Sequence, residues 1–530
     1  MNNNIIKLTL VTAGAFLFNL IFWQEKLGVN TLLFDAFIVI ALFCLYPKAG
    51  QNSTVRWLLL GHLLCLAMVL VHNSLLSKIA FTITLLLVAA FAEYIHRSAW
   101  FAGGSILMNI IMVAASFTEI LQFKPQPKAR RRNLSRIMRF TFFPLVIALI
   151  FFIIYSSANS VFQEKAQVVV DEIGKFFANF FDLFSWERCL FLLLGLLITA
   201  SVLLKSRLDY FSEKETTHTD GLLRTKKSWR KTKEGAFFQI IELVMGRFSR
   251  GVLALKNENT TGIISLLLLN LLLLAINAID VNYLWFNFKY DETKPLYKMV
   301  HEGTEWLILS IVLAMAILMF FFKGNLNFYT KNKWLKFGAT AWIIQNSILV
   351  FSVLLRDYYY IYYHGLAYKR IGVLFFLLMV MIGLVTVLVK IWAKKTNYFL
   401  FRVNAWAGIF ILVLSTTLHW DELIAGYNLQ RKDKITLDIP FLLSLSDKTL
   451  PLLDKNRTVL LQKEHELQQQ QLPMFRNNCD TCFVEQLQQR EQQFLAKQQQ
   501  LSWLSWNYAD AVVKQYLEQK KVQEPITHNQ

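Results

Sequence analysis

The sequence has no glycine-rich phosphate loop, no G-x-S-x-G elbow and no nucleotide-binding segment, so an ATP-driven pump contained in this chain is not expected. Cysteine is scarce. Of five cysteines, Cys44, Cys65 and Cys189 fall in or beside apolar stretches and read as small buried hydrophobes. Acidic side chains are outnumbered, 36 Asp and Glu against 55 Lys and Arg, for a formal charge of +19. Such an excess can signal nucleic acid, but here the bases lie between apolar stretches rather than on a folded polar face, so no nucleic-acid partner is expected. Nothing after the first apolar stretch resembles a small-residue cleavage site, which makes that stretch a retained helix rather than a signal peptide.

What the chain does have is apolar surface: 55% of its 530 residues are hydrophobic and 14% aromatic, with mean hydropathy +0.39. The hydrophobicity comes in discrete blocks, each close to the roughly 20 residues a helix needs to cross a bilayer. Twelve can be drawn, at 5–23, 27–46, 54–72, 74–95, 100–121, 138–159, 187–204, 262–287, 300–322, 333–355, 370–393 and 397–419. The expectation is an all-α, polytopic transmembrane bundle of about 12 spans, with the short hairpins among the first five blocks as the place where a miscount would hide.

Orientation follows from the loops. Residues 124–139 carry Lys124, Lys128, Arg130, Arg131, Arg132, Arg136 and Arg139 with no acid, and short basic loops stay cytoplasmic. Every second connection after it repeats the bias, with Arg224, Lys226, Lys227, Arg230, Lys231 and Lys233, then Lys323, Lys331, Lys333 and Lys336, then Lys394 and Lys395. The alternate connections contain Glu164, Asp171, Glu172, Asp182, Asp291 and Glu292 and are placed outside. Twelve spans would put both ends of the chain outside the cytoplasm; that is less usual for an amino terminus, so the count before residue 122 stays open. The implied location is a bacterial inner membrane, with a periplasmic tail.

Three regions are delineated: N-terminal transmembrane helices at 1–121, a transmembrane region at 122–429, and a soluble, Gln-rich helical tail at 430–530. Residues 160–185 and 235–254 each bring Phe, Val and Ile to near-helical spacing among polar residues; either an interfacial helix or a helix packed on the protein's own spans fits. In the tail, Pro440 and Pro451 mark the boundaries of short helices. The stretch from Leu460 to Leu501 reads as one or two amphipathic helices.

Polar and ionisable residues at the edges of membrane spans are costly to keep there and are the default functional candidates. They collect at one end of the second half: Asn277, Asp280 and Asn282; His301, Glu302 and Glu305; Arg356 and Asp357; His364, Lys369 and Arg370; His419, Asp421 and Glu422. The alternation places all of these groups on the outer face. Asp280, His301, Glu302, Glu305, Arg356, Asp357, Tyr363, His364 and Arg370 form the candidate ligand-binding cluster, with headgroup-solvated interfacial residues as the plain alternative. The run YYYIYYHGLAYKR from Tyr358 reads either as an aromatic belt or as a Tyr-lined pocket for a polar ligand. His301-Glu302-Gly303-Thr304-Glu305 has the outline of a zincin motif without its final His, and neither a metal nor a cofactor is assigned. Asp35, in mid-block, serves either a proton or ion path or a hydrogen bond across a helix pair. Cys479 and Cys482 form a C-x-x-C best read as a periplasmic disulfide.

The residues HEG at 301–303 and YYHGLAYKRIGVL at 362–374 together resemble a bacterial family known as a domain of unknown function, four-one-seven-three, related to four-one-five-three. The family pattern is a Tyr, a Gly-Leu-Thr turn and an Arg three residues on. Gly365, Leu366 and Arg370 occupy similar places, whereas Ala367 stands where Thr is usual and the Arg is one residue late or replaced by Lys369. LDIPFLLSLS in the tail is similar to the family's post-membrane stretch. The resemblance spans residues 130–450; it implies a multi-span membrane protein and supplies no activity.

Three functions remain in view: binding or transport of a polar ligand at the outer cleft, a sensor or scaffold presenting its tail to a protein partner, and an enzyme acting on a lipid or cell-wall precursor through His301 or Glu302. The lipid bilayer is the one partner that the composition requires.

Overall fold

The computed structural model describes residues 3–113, 167, 185–206, 208–224, 254–287, 296–322, 324–469 and 482–523. Among these residues the protein is a bundle of apolar helices capped at one end by a small helical domain. The apolar helices are α1 (Asn3–Phe22), α2 (Val29–Leu45), α3 (Ser53–Val71), α4 (Leu75–Glu93), α5 (Ala99–Ile111), α6 (Trp186–Leu203), and, after the short polar α7 (Tyr210–Thr216), α8 (Ala254–Asp280), α9 (Leu296–Phe321), α10 (Lys333–His364), α11 (Tyr368–Trp392) and α12 (Asn397–Ser415). Eight described helices are long and apolar enough to cross a membrane, and three shorter ones are also apolar. The protein is thus an all-α, multi-pass membrane protein. Its outward side chains agree: Leu267, Leu268, Leu271 and Leu272 on α8 are all more than half exposed, as lipid-facing residues should be.

Polar caps fix where the helices begin. Asn52 accepts from the Thr54 amide at 3.0 Å, Ser74 from Ser77 at 3.1 Å, and Thr396 from Phe399 at 3.3 Å, each satisfying a backbone donor that the first turn leaves free.

Two cores form side by side. One is built by α1 to α6 around Val11, Ile38, Leu42, Val69 and Val88; the other by α8 to α11 around Ile311, Leu335, Val353 and Leu384. Helix α12 joins them, burying Leu400 in the second and packing Trp406 and Val413 against the first. Within the second core α8 and α10 run parallel, because the residues that meet keep a nearly constant separation in sequence. Asn270 donates to the Gly338 carbonyl at 3.0 Å, Gln345 donates to Asn270 at 2.8 Å, Asn277 donates to the Gln345 carbonyl at 3.0 Å, and Trp285 donates to Ser352 at 3.2 Å. Asn270 and Asn277, like Gly338, Gln345 and Ser352, recur at the heptad interval that keeps one seam facing a partner, and amide bonds across such a seam hold helices together where lipid supplies no hydrophobic drive.

The two ends of the bundle differ. The α1–α2 and α3–α4 connections, the Gly365 turn and the end of α12 lie at the end that carries the tail, since Val29 bonds the Trp506 carbonyl at 3.1 Å, His72 the Thr417 carbonyl at 3.1 Å, and Leu366 the Asn428 side chain at 2.6 Å. The opposite end gathers Lys205, Lys331, Lys390, Lys394 and Arg402, and α1 starts there, with Lys7 close enough to Glu93 to act on its charge. The expectation that both ends of the chain share a side therefore does not hold: Asn3 and Ser415 lie at opposite ends. The difference traces to the fifth block. Helix α5 ends by Ile111, and its Asn109 bonds Glu93 at 2.6 Å and the Ser206 amide at 3.0 Å. Glu93 ends α4 and Ser206 follows the end of α6, both at the basic end, so α5 lies across that end instead of traversing the bundle. The block at 138–159, the basic loop at 124–139 and, apart from residues 167, 185 and 254, the amphipathic stretches at 160–185 and 235–254 lie outside the described residues.

The tail comprises α13 (Trp420–Gln430), α14 (Ile439–Ser444), α15 (Leu450–Lys455), α16 (Arg457–Gln469), α17 (Cys482–Gln500) and α18 (Tyr508–Gln523). Pro440 and Pro451 each sit in the first turn of a short helix, where a missing N–H costs nothing. Ile424, Ile439, Leu450, Leu453, Phe483 and Leu487 are its core, and Leu366 and Ile371 from the α10–α11 turn belong to the same core. Tail and bundle are therefore packed as one body at this point.

Candidate functional site

The proposed outer-face cluster falls at the tail-side end of α8, α10 and α11. Its centre is an ion pair between Arg356 on α10 and Asp280, the last residue of α8, at 2.7 Å with 13% and 9% of the side chains exposed. Immediately after Asp280 the chain makes a π-helical turn, Val281–Phe286, a distortion that tends to occur where side chains are being re-aimed at a site. Asp357, next to Arg356, is 3% exposed. Three atoms of this group, Asp280 Oδ2, Arg356 Nε and Asp357 Oδ2, are buried with no hydrogen-bond partner, which is uncommon for charged groups in a protein interior.

The other candidates divide. Arg370 donates to the His364 carbonyl at 3.0 Å and to the Gly365 carbonyl, and its guanidinium lies 4.1 Å from the centre of the Tyr360 ring. It thus caps the C-terminus of α10, where cations are favoured. His364 stacks near Tyr360 at 4.8 Å, and Tyr363 meets Tyr362 edge-on at 5.0 Å, so the tyrosine run is largely engaged in packing at the base of the tail. The His301, Glu302 and Glu305 side chains, and the Cys479–Cys482 pair, lie outside the described residues, although the α9 and α17 backbones run through 301–305 and from Cys482.

The Gly365 turn, between α10 and α11, is where the bundle meets the tail. Gly365 has φ +81° and ψ −177°, a region essentially reserved for glycine. Asn428 on α13 then pairs with the next residue in both directions, accepting from the Leu366 amide at 2.6 Å and donating to its carbonyl at 2.9 Å. Asp421 adds a second clasp, accepting from Tyr368 and from Ser446, the latter at 2.6 Å.

A second polar group forms where the α3–α4 loop meets the tail. The His72 and His419 rings are 5.2 Å apart, and Lys448 donates to the His72 carbonyl. Burial, with Lys448 and His72 nearby, pulls His419 down to about 4, and burial likewise pulls Lys448 down to about 8. His419 Nδ1 accepts from the Glu422 amide at 3.3 Å and caps α13, while its Nε2 is buried without a partner. On the tail itself a cavity of about 360 Å³ opens between Trp503, Trp506, Asn507, Asp510 and Lys514.

At the basic end Glu215, on α7, is buried and accepts from the Ser98 amide at 2.7 Å, the Arg97 amide at 3.1 Å, the Tyr398 hydroxyl and the His96 ring. Burial raises its pKa, but the bonds from His96, Tyr398, Arg97 and Ser98 outweigh burial and leave it below the usual value. Sequence reasoning missed this anchor, because Glu215 sits in a polar stretch with no periodicity to mark it.

Comparison with known proteins decides the family. A model of the domain of unknown function DUF4153 matches residues 11–456. The chain belongs to that family. The resemblance read from residues 301–303 and 362–374 is to four-one-seven-three; the family that matches is its relative, and the match extends well in front of residue 130. No curated protein and no solved structure matches the chain.

Proposed function

We propose that this DUF4153 protein binds a polar or charged solute at the tail-side end of α8 and α10, as a binding or transport protein of a bacterial inner membrane. The observation that carries the reading is the buried Asp280–Arg356 pair, whose Oδ2 and Nε atoms are unpartnered, with Asp357, next in sequence, buried and likewise left with an unpartnered oxygen. A buried polar atom left without a partner costs about 1–3 kcal/mol, and a solute offering both a donor and an acceptor would recover it. The lysines and arginines at the opposite end support a cytoplasmic basic face and hence a periplasmic tail. A protein partner for that tail fits the cavity beside Trp503 and Trp506, which favours a scaffold role as the second reading.

The experiment is a thermal-shift screen of the purified full chain in nanodiscs against amino acids, polyamines, sugars and sugar phosphates. One class is expected to raise the melting temperature of the wild type but not of Asp357→Asn or Arg356→Gln. If every class that stabilises the wild type stabilises both variants equally, the site is elsewhere. Reporter fusions after Arg136 and after Asp421 test the orientation: a cytoplasmic-active fusion at Asp421 would refute the periplasmic tail.

A further inference from the structure

The N-terminal half contains a second buried polar array that the ligand reading does not use. Asp35 lies six residues into α2, about 9 Å from its tail-side start at 1.5 Å per residue. It is 1% exposed, and it bonds His62 Nε2 on α3 at 2.8 Å; His62 is fully buried. On its other side His62 Nδ1 lies 2.9 Å from Thr84 Oγ1 on α4, and Phe81 stacks on the ring at 5.0 Å. Three helices thus meet through one imidazole.

The Thr84 hydroxyl has two outlets. It can donate to His62 Nδ1 or back to the Ala80 carbonyl, 2.8 Å away. In the first case the ring holds its proton on Nε2 and donates it to the Asp35 carboxylate. In the second, Nδ1 carries the proton and donates to Thr84 Oγ1, and Nε2 accepts from a protonated Asp35. Both tautomers are therefore fully hydrogen-bonded in one and the same side-chain geometry.

We infer that Asp35 and His62 form an exchangeable proton site in the N-terminal half, loaded from the tail side. A proton arriving at Nδ1 is balanced by release of the Nε2 proton to Asp35 Oδ1, leaving the ring neutral and the carboxyl protonated; the reverse transfer returns it. The tail-side approach is polar: the Cys65 thiol lies beside the hydroxyls of Thr84 and Thr416, and the next residue, Thr417, meets His72 through its carbonyl. Cys65 and Thr416 are fully buried. The surrounding helices bring little other charge. Between Lys7 and Glu25 α1 has no ionisable residue, nor has α4 between Lys78 and Glu93, α6 between Cys189 and Lys205, or α12 beyond Arg402; α2 adds Cys44, near its basic end, and α3 adds Cys65 and, in its first turn at the basic end, Arg56. An ionisable pair kept in so apolar a setting is the usual mark of a proton relay in membrane proteins.

Infrared acid–base difference spectra of the full chain in nanodiscs, taken from about pH 4 to about pH 10, test the inference. The wild type is expected to show a titrating protonated-carboxyl absorption that Asp35→Asn lacks, and His62→Gln is expected to move its midpoint by at least about one unit, tenfold in proton affinity. Identical carboxyl spectra for wild type and Asp35→Asn would overturn it, reducing the array to a structural clamp. Should Asp35→Asn fail to fold, the His62 ring nitrogens of wild-type protein can be read by NMR. Interchange of tautomers with pH supports the relay, and a single fixed tautomer refutes it.

Discussion

Replacing Gly365 by Ala is the sharpest test of how the tail is held. A Cβ at this position would lie 2.5 Å from Asn428 Oδ1 and 2.9 Å from Ile435 Cδ1, closer than real Cβ contacts come. The backbone conformation alone costs an alanine about 1–3 kcal/mol. Displacing Asn428 breaks two buried bonds to Leu366 and leaves polar atoms unsatisfied, for roughly another 1–3 kcal/mol. The expected loss is therefore about 2–6 kcal/mol. It should fall on the docking of α13 against the α10–α11 turn and leave α1 to α6 intact. Chemical denaturation of the nanodisc-embedded chain, followed by limited proteolysis of the tail, would measure it. Asn428→Ala both removes the pairing and makes room for the new methyl group, so the double variant should be less destabilised than the sum of the two single ones. A Gly365→Ala protein within about 0.5 kcal/mol of wild type, or full additivity in the cycle, would show that this turn does not carry the load assigned to it.

Two further outcomes concern pH. His419 titrates lower in the folded protein than its ordinary 6.5, at about 4, so the unfolded chain takes up the proton first. Stability that is full above pH 6.5 is then lost as the pH falls toward 4, and His419→Asn, which keeps the cap on α13, should flatten that acid limb in a series of melting curves. Glu215 is likewise depressed from 4.5, and its contribution, present above that value, should disappear on further acidification. Glu215→Gln should cost about 1–3 kcal/mol at neutral pH and remove this part of the acid dependence; an unchanged melting temperature would mean that α7 is not anchored through the carboxylate.

The sequence alone was enough to locate most of the helices, because a bilayer imposes length and composition directly on each crossing segment. Ten of the twelve blocks coincide with described helices, one, at 138–159, lies outside the described residues, and the capping residues Asn52, Ser74 and Thr396 stand where a reader of local chemistry would look for them. The fifth block is the instructive exception. Its residues are apolar enough to span, yet Asn109 is committed to Glu93 and Ser206, and hydropathy contains no term for a polar side chain whose partners lie in other helices. The same blindness hid His62 as the partner of Asp35: one histidine amid apolar residues is indistinguishable from a packed one until α2, α3 and α4 are brought together. The meeting of Asp280 and Arg356, by contrast, agrees with their shared place in the candidate cluster, because both residues end long apolar runs and depth along a helix can be counted.

These placements also bear on how two sites in one chain could communicate. The buried trio on α8 and α10 belongs to one core and the Asp35–His62 pair to the other, and direct contact between those cores passes largely through α12. The tail, however, grips both: Ser505 and Trp506 bond the α1–α2 loop, Lys448 bonds the α3–α4 loop, and Asn428 and Asp421 bond the α10–α11 turn. The two sets of tail-side loops are therefore bridged by a domain with its own hydrophobic core. The tail thus contacts the loops of both halves, with Leu366 and Ile371 from the α10–α11 region packed into its own core.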